Sequence, residues 1–130
     1  MLNVHDLTKE YPGKTAVSSI QFNVEKGEIM GFLGPNGAGK TTTLRMITGF
    51  LSPTSGTITV DGIDAHQSPA AVKRRIGYLP EGVPMYPEMR VSEYLRYRGA
   101  LKELSGKELG AAVDRALERA SVADVRDRII

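Results

Sequence analysis

The sequence predicts a mixed α/β fold, and three observations favour it. Short segments of alternating or continuous apolar residues, typical of β-strands, lie in its first 80 residues. A glycine-rich loop joins one of these segments to a helical pattern, and two amphipathic helical patterns follow in the last 40 residues. This order of elements is expected of an α/β core to which further helices are attached.

Alternating or continuous apolar residues predict five strand segments: 2–7, 20–24, 29–33, 57–60 and 76–79. The segment 29–33 (IMGFL) is a continuous apolar run, which is typical of a strand covered on both faces. Asp61-Gly62 separates two β-like segments and predicts a tight hairpin there. We therefore expect an antiparallel β-subdomain formed by the N-terminal strands and this hairpin.

Helical spacing predicts four helices: one from the glycine-rich loop to Gly49, then 69–75, 91–101 and 109–120. Gly49 is a plausible helix end, because glycine favours the left-handed conformation found there. Ser68 is expected to cap the second helix, with Pro69 at its first position. For the third helix we expect a cap from Ser92 or from the preceding loop.

Composition excludes several classes of protein. The 130 residues include 17 Lys and Arg against 15 Asp and Glu, a net charge of +2, so a polybasic nucleic-acid-binding arm is not expected. The absence of cysteine excludes a disulfide framework, a cysteine-ligated zinc site and a thiol nucleophile. No apolar run has the length of a membrane helix, and the first residues do not form a secretion signal. The ending on Ile129-Ile130, without a polar tail, leads us to expect a truncated chain.

The motif with the clearest chemistry is G-x-x-x-x-G-K-[ST], which residues 34–41 (GPNGAGKT) match in full. Glycines let several backbone N–H groups approach phosphate oxygens at once, and the following helix directs its positive end to the same place. Lys40 supplies a full charge for the β- and γ-phosphates, and the Thr41 hydroxyl is suited to ligate Mg²⁺. The alternative is a chance match in a glycine-rich loop, but the apolar segment before it and the helix after it favour nucleotide binding.

The motif alone leaves kinases, GTPases, helicases, AAA-type proteins and transporters open. The residues around it narrow the choice. The stretch from Leu7 to Asp64, including GPNGAGKTT and SPTSGTITVDG, followed by IGYLPE and two helices, resembles the N-terminal half of an ABC transporter ATP-binding subunit. The resemblance covers nearly the whole chain. It implies a P-loop NTPase core with an antiparallel β-subdomain over about 1–80, and a Gln-loop region with the start of a helical subdomain over about 81–130.

The resemblance also implies a set of nucleotide contacts. Tyr11 occupies the position of the aromatic residue that stacks on adenine; the alternative is a turn residue that covers the edge of the core. The phosphate-binding Walker A loop and its first helical turn comprise Gly34, Pro35, Asn36, Gly37, Ala38, Gly39, Lys40, Thr41 and Thr42. Lys40 is expected to be catalytic as well, and ATP with Mg²⁺ is the expected ligand.

Glu81 is a departure from the family pattern, because most members carry glutamine at this position. A glutamate can still offer an oxygen to Mg²⁺, so we expect Glu81 to be a metal ligand and a catalytic residue. It also adds negative charge near the γ-phosphate. Glutamate here is similar to drug- and lipid-exporting and gliding-type subunits, which favours export. The alternative is a solvated loop carboxylate.

Two features that ATP hydrolysis needs in this family do not occur in residues 1–130: the Walker B Asp-Glu pair and the LSGGQ signature. Residues 104–108 (LSGKE) look like the signature, but they lack its second glycine and lie between two helices. We therefore expect the polypeptide 1–130 to bind nucleotide and to hydrolyse little of it, although the full subunit is expected to be an ATP hydrolase.

The resemblance implies two partners, a membrane-spanning transporter subunit and a second ATP-binding subunit, and a location on the cytoplasmic face of the membrane. Met85, Tyr86 and Met89 are expected either to face the membrane partner or to pack beneath the two helices. The sequence leaves two other functions open: a soluble ABC protein without a membrane partner, and a nucleotide-binding regulator.

Overall fold

The structure, a computed structural model, describes residues 1–130, and the chain divides into two compact units. The first unit comprises Met1–Tyr78 and the second comprises Leu79–Ile130. None of the chain's helices combines the length and the hydropathy that a transmembrane segment requires.

The first unit contains one antiparallel sheet with the strand order β2-β1-β3-β4. Its strands are β1 (Leu2–Tyr11), β2 (Lys14–Val24), β3 (Ser55–Val60) and β4 (Ile63–Asp64). The central strand β1 pairs with β2 from Leu2↔Val24 to Tyr11↔Lys14, and Leu2 also pairs with Val60 of β3. This sheet confirms the predicted antiparallel β-subdomain, and its first two strands are longer than the alternation of apolar residues predicts.

Irregular pairing explains why the alternation stops short of the strand ends. Asp6 and Ser19 have positive φ angles of 47° and 43°, and the β1–β2 register shifts between Val4 and Leu7. Such bulges change which face a side chain occupies, so a strand can continue after its period-two pattern is lost. Leu7 is fully buried on the far side of this irregularity.

The first helix, α1 (Lys40–Ile47), packs on the sheet through one face. Its buried residues Met46 and Ile47 join a core with strand residues Val4, Leu7, Val17 and Ile58. The helix ends as predicted at Gly49, whose φ of +72° allows Gly49 N–H to bond Met46 O and Phe50 N–H to bond Arg45 O.

The predicted hairpin and second helix are confirmed. Asp61 and Gly62 both have positive φ angles, 50° and 76°, which is the conformation of a type I′ turn between β3 and β4. Helix α2 (Pro69–Arg75) follows, with Ser68 at the cap position and Pro69 at the first helical position. The Ser68 hydroxyl makes no capping hydrogen bond.

Two predicted strands are wrong. Residues 29–33 and 76–79 form no strand, and the side chains of Ile29 and Leu33 are 97% and 93% exposed. A strand covered on both faces needs neighbouring strands to accept its backbone hydrogen bonds. The antiparallel sheet consists of β2, β1, β3 and β4 alone, so neither segment pairs as a strand of this sheet.

The second unit contains the two expected helices, α3 (Val91–Ala100) and α4 (Gly106–Arg119), and a short 3₁₀ turn at Ala123–Val125. The helices approach closely at Gly99, where a Cβ atom would collide with the Leu109 side chain. Ser105 lies at the cap position of α4, so residues 104–108 end one connection and begin a helix.

The cap of α3 comes from the preceding loop and not from Ser92, so the second of the two expectations is confirmed and the first is wrong. Arg90, in the preceding loop, is the cap residue, and the Glu93 carboxylate accepts a hydrogen bond from its N–H at 2.8 Å. Ser92 lies inside the helix and is buried. The start of α3 is also tied to the last residues, because the Val91 and Ser92 N–H groups donate to carbonyls of Arg128 and Arg126.

Candidate nucleotide-binding site

The glycine-rich loop is shaped by a tight turn directly before α1. Ala38 N–H donates to Pro35 O at 3.2 Å, which closes a four-residue turn with Asn36 and Gly37 at its centre. Gly37 has a φ of +85°, the value that the third position of a type II turn requires. All residues from Gly34 to Ala38 are exposed, so the loop presents its backbone to solvent.

Gly39 fixes this loop against the sheet. Its φ is +88°, and a Cβ atom there would lie 2.5 Å from Ala16 O and 3.0 Å from Val17 Cγ2 of strand β2. Gly39 is also the cap residue of α1, and its carbonyl accepts the Thr43 N–H at 2.8 Å. Any side chain at this position would push the start of the helix away from β2.

Lys40 is held over the turn. Its Nζ donates to Gly34 O at 2.6 Å and to Pro35 O at 2.8 Å, and the residue is half-buried. The ammonium is therefore placed beside the exposed loop rather than extended into solvent. Helix α1 has no acidic residue in its first turn, so nothing there offsets the positive end of the helix dipole.

The three threonines that follow Lys40 occupy different environments. Thr43 is buried and belongs to the core face of α1, whereas Thr41 is exposed and Thr42 is half-buried. The Thr41 hydroxyl is thus open to a ligand. The chain contains no group of three or more His, Cys, Asp or Glu side chains that could hold a metal by themselves. The exposed Thr41 hydroxyl fits Mg²⁺, which proteins commonly hold by one or two side chains together with phosphate oxygens and water.

Tyr11 lies in the same unit, at the end of β1 where the strand turns into β2. Its side chain is 44% exposed, and Lys9 Nζ lies 5.4 Å from the centre of its ring. Sequence reasoning missed Lys9, because the β1–β2 register shifts between Lys9 and Glu10 and a simple alternation does not predict which side chains meet there. An exposed ring beside a cation offers a stacking surface for a base and a positive charge near it.

Glu81 belongs to the second unit, and its side chain is exposed. In the same unit Met85 and Tyr86 are exposed and Met89 is half-buried. The Tyr86 ring meets Tyr97 of α3 edge-on, with ring centres 5.5 Å apart, and a hydrogen bond with Tyr97 raises the pKa of the Tyr86 phenol. Tyr86 thus packs against α3, whereas Met85 and Tyr86 also remain exposed, and a role toward a membrane partner stays a prediction.

Comparison with known proteins identifies the family. Residues 17–130 match the family model described as ABC transporter. The chain is 41% identical to the ABC transporter ATP-binding protein NatA of Bacillus subtilis, an alignment that covers 98% of this chain and 54% of NatA. It is 37% identical to the linearmycin resistance ATP-binding protein LnrL of the same organism, over 99% of this chain and 42% of that protein.

A solved structure, an ATP-binding subunit of an ABC transporter, superimposes with a TM-score of 0.84 at 29% identity and covers 99% of this chain and 54% of that one. The chain thus spans about half the length of the relatives it matches. Its fold is that of P-loop NTPases, with an antiparallel sheet in the first unit. The family match over residues 17–130, together with the phosphate-binding loop, shows that this chain belongs to the ABC transporter family and contains residues of its ATP-binding domain.

Proposed function

We propose that the chain binds Mg·ATP as part of an ATPase subunit that powers export through a membrane-spanning transporter subunit. The observation that carries this proposal is the exposed loop 34–38, with Lys40 held over it and the N-terminus of α1 behind it. Backbone N–H groups and a helix N-terminus together form a favourable environment for phosphate oxygens.

Each residue of the site has a proposed role. Lys40 leaves Gly34 O and Pro35 O and moves to the β- and γ-phosphates, where it offsets their charge. The Thr41 hydroxyl and the Glu81 carboxylate are the proposed protein ligands of Mg²⁺, and Thr42 contacts the α- or β-phosphate. Tyr11 stacks on adenine, and Lys9 beside it adds positive charge at the same edge of the site.

Hydrolysis is proposed for the whole subunit and not for residues 1–130 alone. In the family, a Walker B glutamate polarises the attacking water, and the LSGGQ loop of a second ATP-binding subunit completes the site. Neither motif occurs in these residues. The proposed contribution of this chain is therefore to bind the nucleotide, orient its phosphates and place Lys40 beside them.

Two observations support export as the direction of transport. Glu81 stands where most family members have glutamine. Glutamate at this position is similar to the exporting subunits that the sequence resembles. One relative, at 37% identity, is named for resistance to linearmycin, and resistance is a natural consequence of removing a compound from the cell. The proposed location is the cytoplasmic face of the membrane, where a transporter subunit and a second ATP-binding subunit are the partners.

The first test is calorimetric titration with ATP, with and without Mg²⁺. We expect saturable binding that Mg²⁺ strengthens and that Lys40→Ala abolishes, because the mutation removes the charge beside the phosphates. Lys107→Ala in α4 is the matched control, since it removes an exposed lysine of the second unit. Equal affinity of wild type and Lys40→Ala would overturn the assignment of the phosphate site.

A further inference from the structure

We propose that Asn36 is a site of spontaneous deamidation, and that the resulting carboxylate weakens nucleotide binding at the phosphate loop. The chain contains three asparagines, and only Asn36 is followed by glycine. In such a pair the next backbone nitrogen can attack the side-chain amide, because no Cβ of the following residue stands in the way. The chemical part of the proposal stands on this geometry, and its consequence for binding rests on the proposed function.

The local structure leaves the Asn36-Gly37 pair free to react. Both residues are exposed, and they occupy the centre of the turn that Ala38 N–H closes onto Pro35 O. The Gly37 N–H donates no backbone hydrogen bond, and the Asn36 amide takes part in no side-chain hydrogen bond. A Cβ atom placed on Gly37 would meet nothing within 4 Å, so the space beside this residue is open.

The other two asparagines provide internal controls. Asn3 lies in the central strand β1, and its side chain donates to Thr59 Oγ1 at 3.4 Å. Asn23 lies in β2, and its side chain donates to Glu25 Oε1 at 3.3 Å. Both precede valine, whose branched side chain hinders attack by its own nitrogen. Hydrogen-bonded strand backbone is also held in an extended conformation, in which the next backbone nitrogen cannot easily reach the side-chain amide to close the ring.

The reaction balances with water as the only co-reactant. The deprotonated Gly37 nitrogen forms a bond to Asn36 Cγ, the C–N bond of the amide breaks, and ammonia leaves with the proton. Water then opens the resulting succinimide at either carbonyl. One opening gives aspartate and the other gives isoaspartate, in which the main chain runs through the former side chain.

Either product places a negative charge in the loop that is proposed to receive a triphosphate. Isoaspartate also adds one carbon to the main chain between residues 36 and 37. The added atom changes the geometry of the turn that presents the backbone N–H groups of the loop. One added charge near the phosphates weakens ATP binding by about tenfold in a partly solvated site. Bound nucleotide is expected to slow the reaction, because a Gly37 N–H that is directed at a phosphate is not free to attack.

The experiment ages the full-length protein at mildly alkaline pH, with and without Mg·ATP, and maps tryptic peptides by mass. We expect deamidation to accumulate in peptide 27–40, whereas peptides 1–9 and 15–26, which contain Asn3 and Asn23, stay unchanged. Labelling by isoaspartyl methyltransferase should rise in parallel. Asn36→Gln should remove both signals, because closure of the larger ring is slow. An unmodified peptide 27–40, at a time when the same synthetic peptide has converted, would overturn the proposal.

Two further readouts separate this proposal from the proposed function. ATP affinity should fall about tenfold in Asn36→Asp, measured by the same calorimetry. If deamidation occurs at Asn36 but wild-type protein binds no ATP, the proposed function fails and the modification site stands. If wild-type protein binds ATP and Asn36→Asp binds it equally well, the modification has no effect on binding and that half of the proposal is wrong.

Discussion

Gly39 shows how much a single position in the phosphate loop depends on its surroundings. It needs a left-handed backbone and also has no room for a side chain, because Ala16 O would lie 2.5 Å from a Cβ. The motif letters G-K-T predict glycine here, but they do not predict that strand β2 is the obstacle. That contact joins residues that are 23 positions apart, and no local pattern reports such a distance.

We expect Gly39→Ala to lower the free energy of unfolding of the first unit and to abolish tight ATP binding. The substitution combines a strained φ, which costs about 1 kcal/mol, with a collision against backbone that cannot move aside. Gly27→Ala is the matched control, since Gly27 has a φ of +85° but nothing within 4 Å of its Cβ position. Equal destabilisation by both variants, measured by urea unfolding, would show that only the backbone strain matters.

Tyr11 provides a second prediction at the scale of a residue. Tyr11→Ala should weaken ATP binding by about 1–3 kcal/mol, the range for stacking of one base on one aromatic ring. The affinity for inorganic triphosphate should not change, because that ligand has no base. Tyr11→Phe should keep most of the ATP affinity. A loss of triphosphate affinity in Tyr11→Ala would point instead to the alternative role, a turn residue that supports the edge of the sheet.

At the scale of elements, Asp64 at the end of β4 holds the connection to α2. Hydrogen bonds from the Gln67 and His66 N–H groups keep the pKa of the Asp64 carboxyl below its ordinary value of 3.8. A folded-state pKa that is lowered contributes stability at pH above the ordinary value, and this contribution is lost as pH falls through the folded value.

We therefore expect the amide protons of His66 and Gln67 to lose protection from hydrogen exchange as pH falls below about 4. The loss should exceed the change that pH causes in exchange chemistry itself. Asp64→Asn should lower protection at neutral pH and remove most of this extra pH dependence. Protection in the wild type that stays constant down to pH 2 would contradict the role given to Asp64.

The elements also show where the sequence sufficed and where it did not. The hairpin at Asp61-Gly62, the helix end at Gly49 and the start of α2 at Pro69 could be predicted, because each depends on the backbone preference of one or two residues. The backbone preferences of single residues do not decide whether segments 29–33 and 76–79 form strands. Strand formation there depends on neighbouring strands, and a continuous apolar run does not say whether they are present.

In the candidate site, too, some features could be predicted from the sequence and others could not. The loop 34–39 and Lys40 could be found from the motif, since its chemistry depends on a fixed order of residues. Lys9 beside Tyr11, and the bonds of Lys40 to Gly34 O and Pro35 O, depend on folding and appear only in the structure.

At the scale of the whole molecule, large apolar side chains are exposed in residues 1–130. Ile29, Leu33 and Leu79 are 97%, 93% and 79% exposed. Contiguous exposed apolar residues promote association between molecules. We expect the polypeptide 1–130, prepared alone, to self-associate in sedimentation velocity experiments at micromolar concentration.

Ile29→Ser with Leu33→Ser should reduce this association markedly. Leu101→Ser is the control, because Leu101 is also exposed, at 62%, but lies outside the apolar run. A monomeric wild-type polypeptide would contradict the prediction, and equal reduction by Leu101→Ser would show that the run 29–33 has no special role.

The central position of β1 has a consequence for the order in which this protein folds. Its pairing with β2 is local and closes at Tyr11↔Lys14, whereas its pairing with β3 joins Leu2 to Val60. Closing so long a loop costs more chain entropy than forming a hairpin, and contacts distant in sequence slow folding. We therefore expect the β1–β2 hairpin to form early. The phosphate loop and α1 lie in the chain segment that is closed only when β3 pairs with β1. In stopped-flow refolding, recovery of ATP binding should then coincide with the slow phase in which β3 joins the sheet.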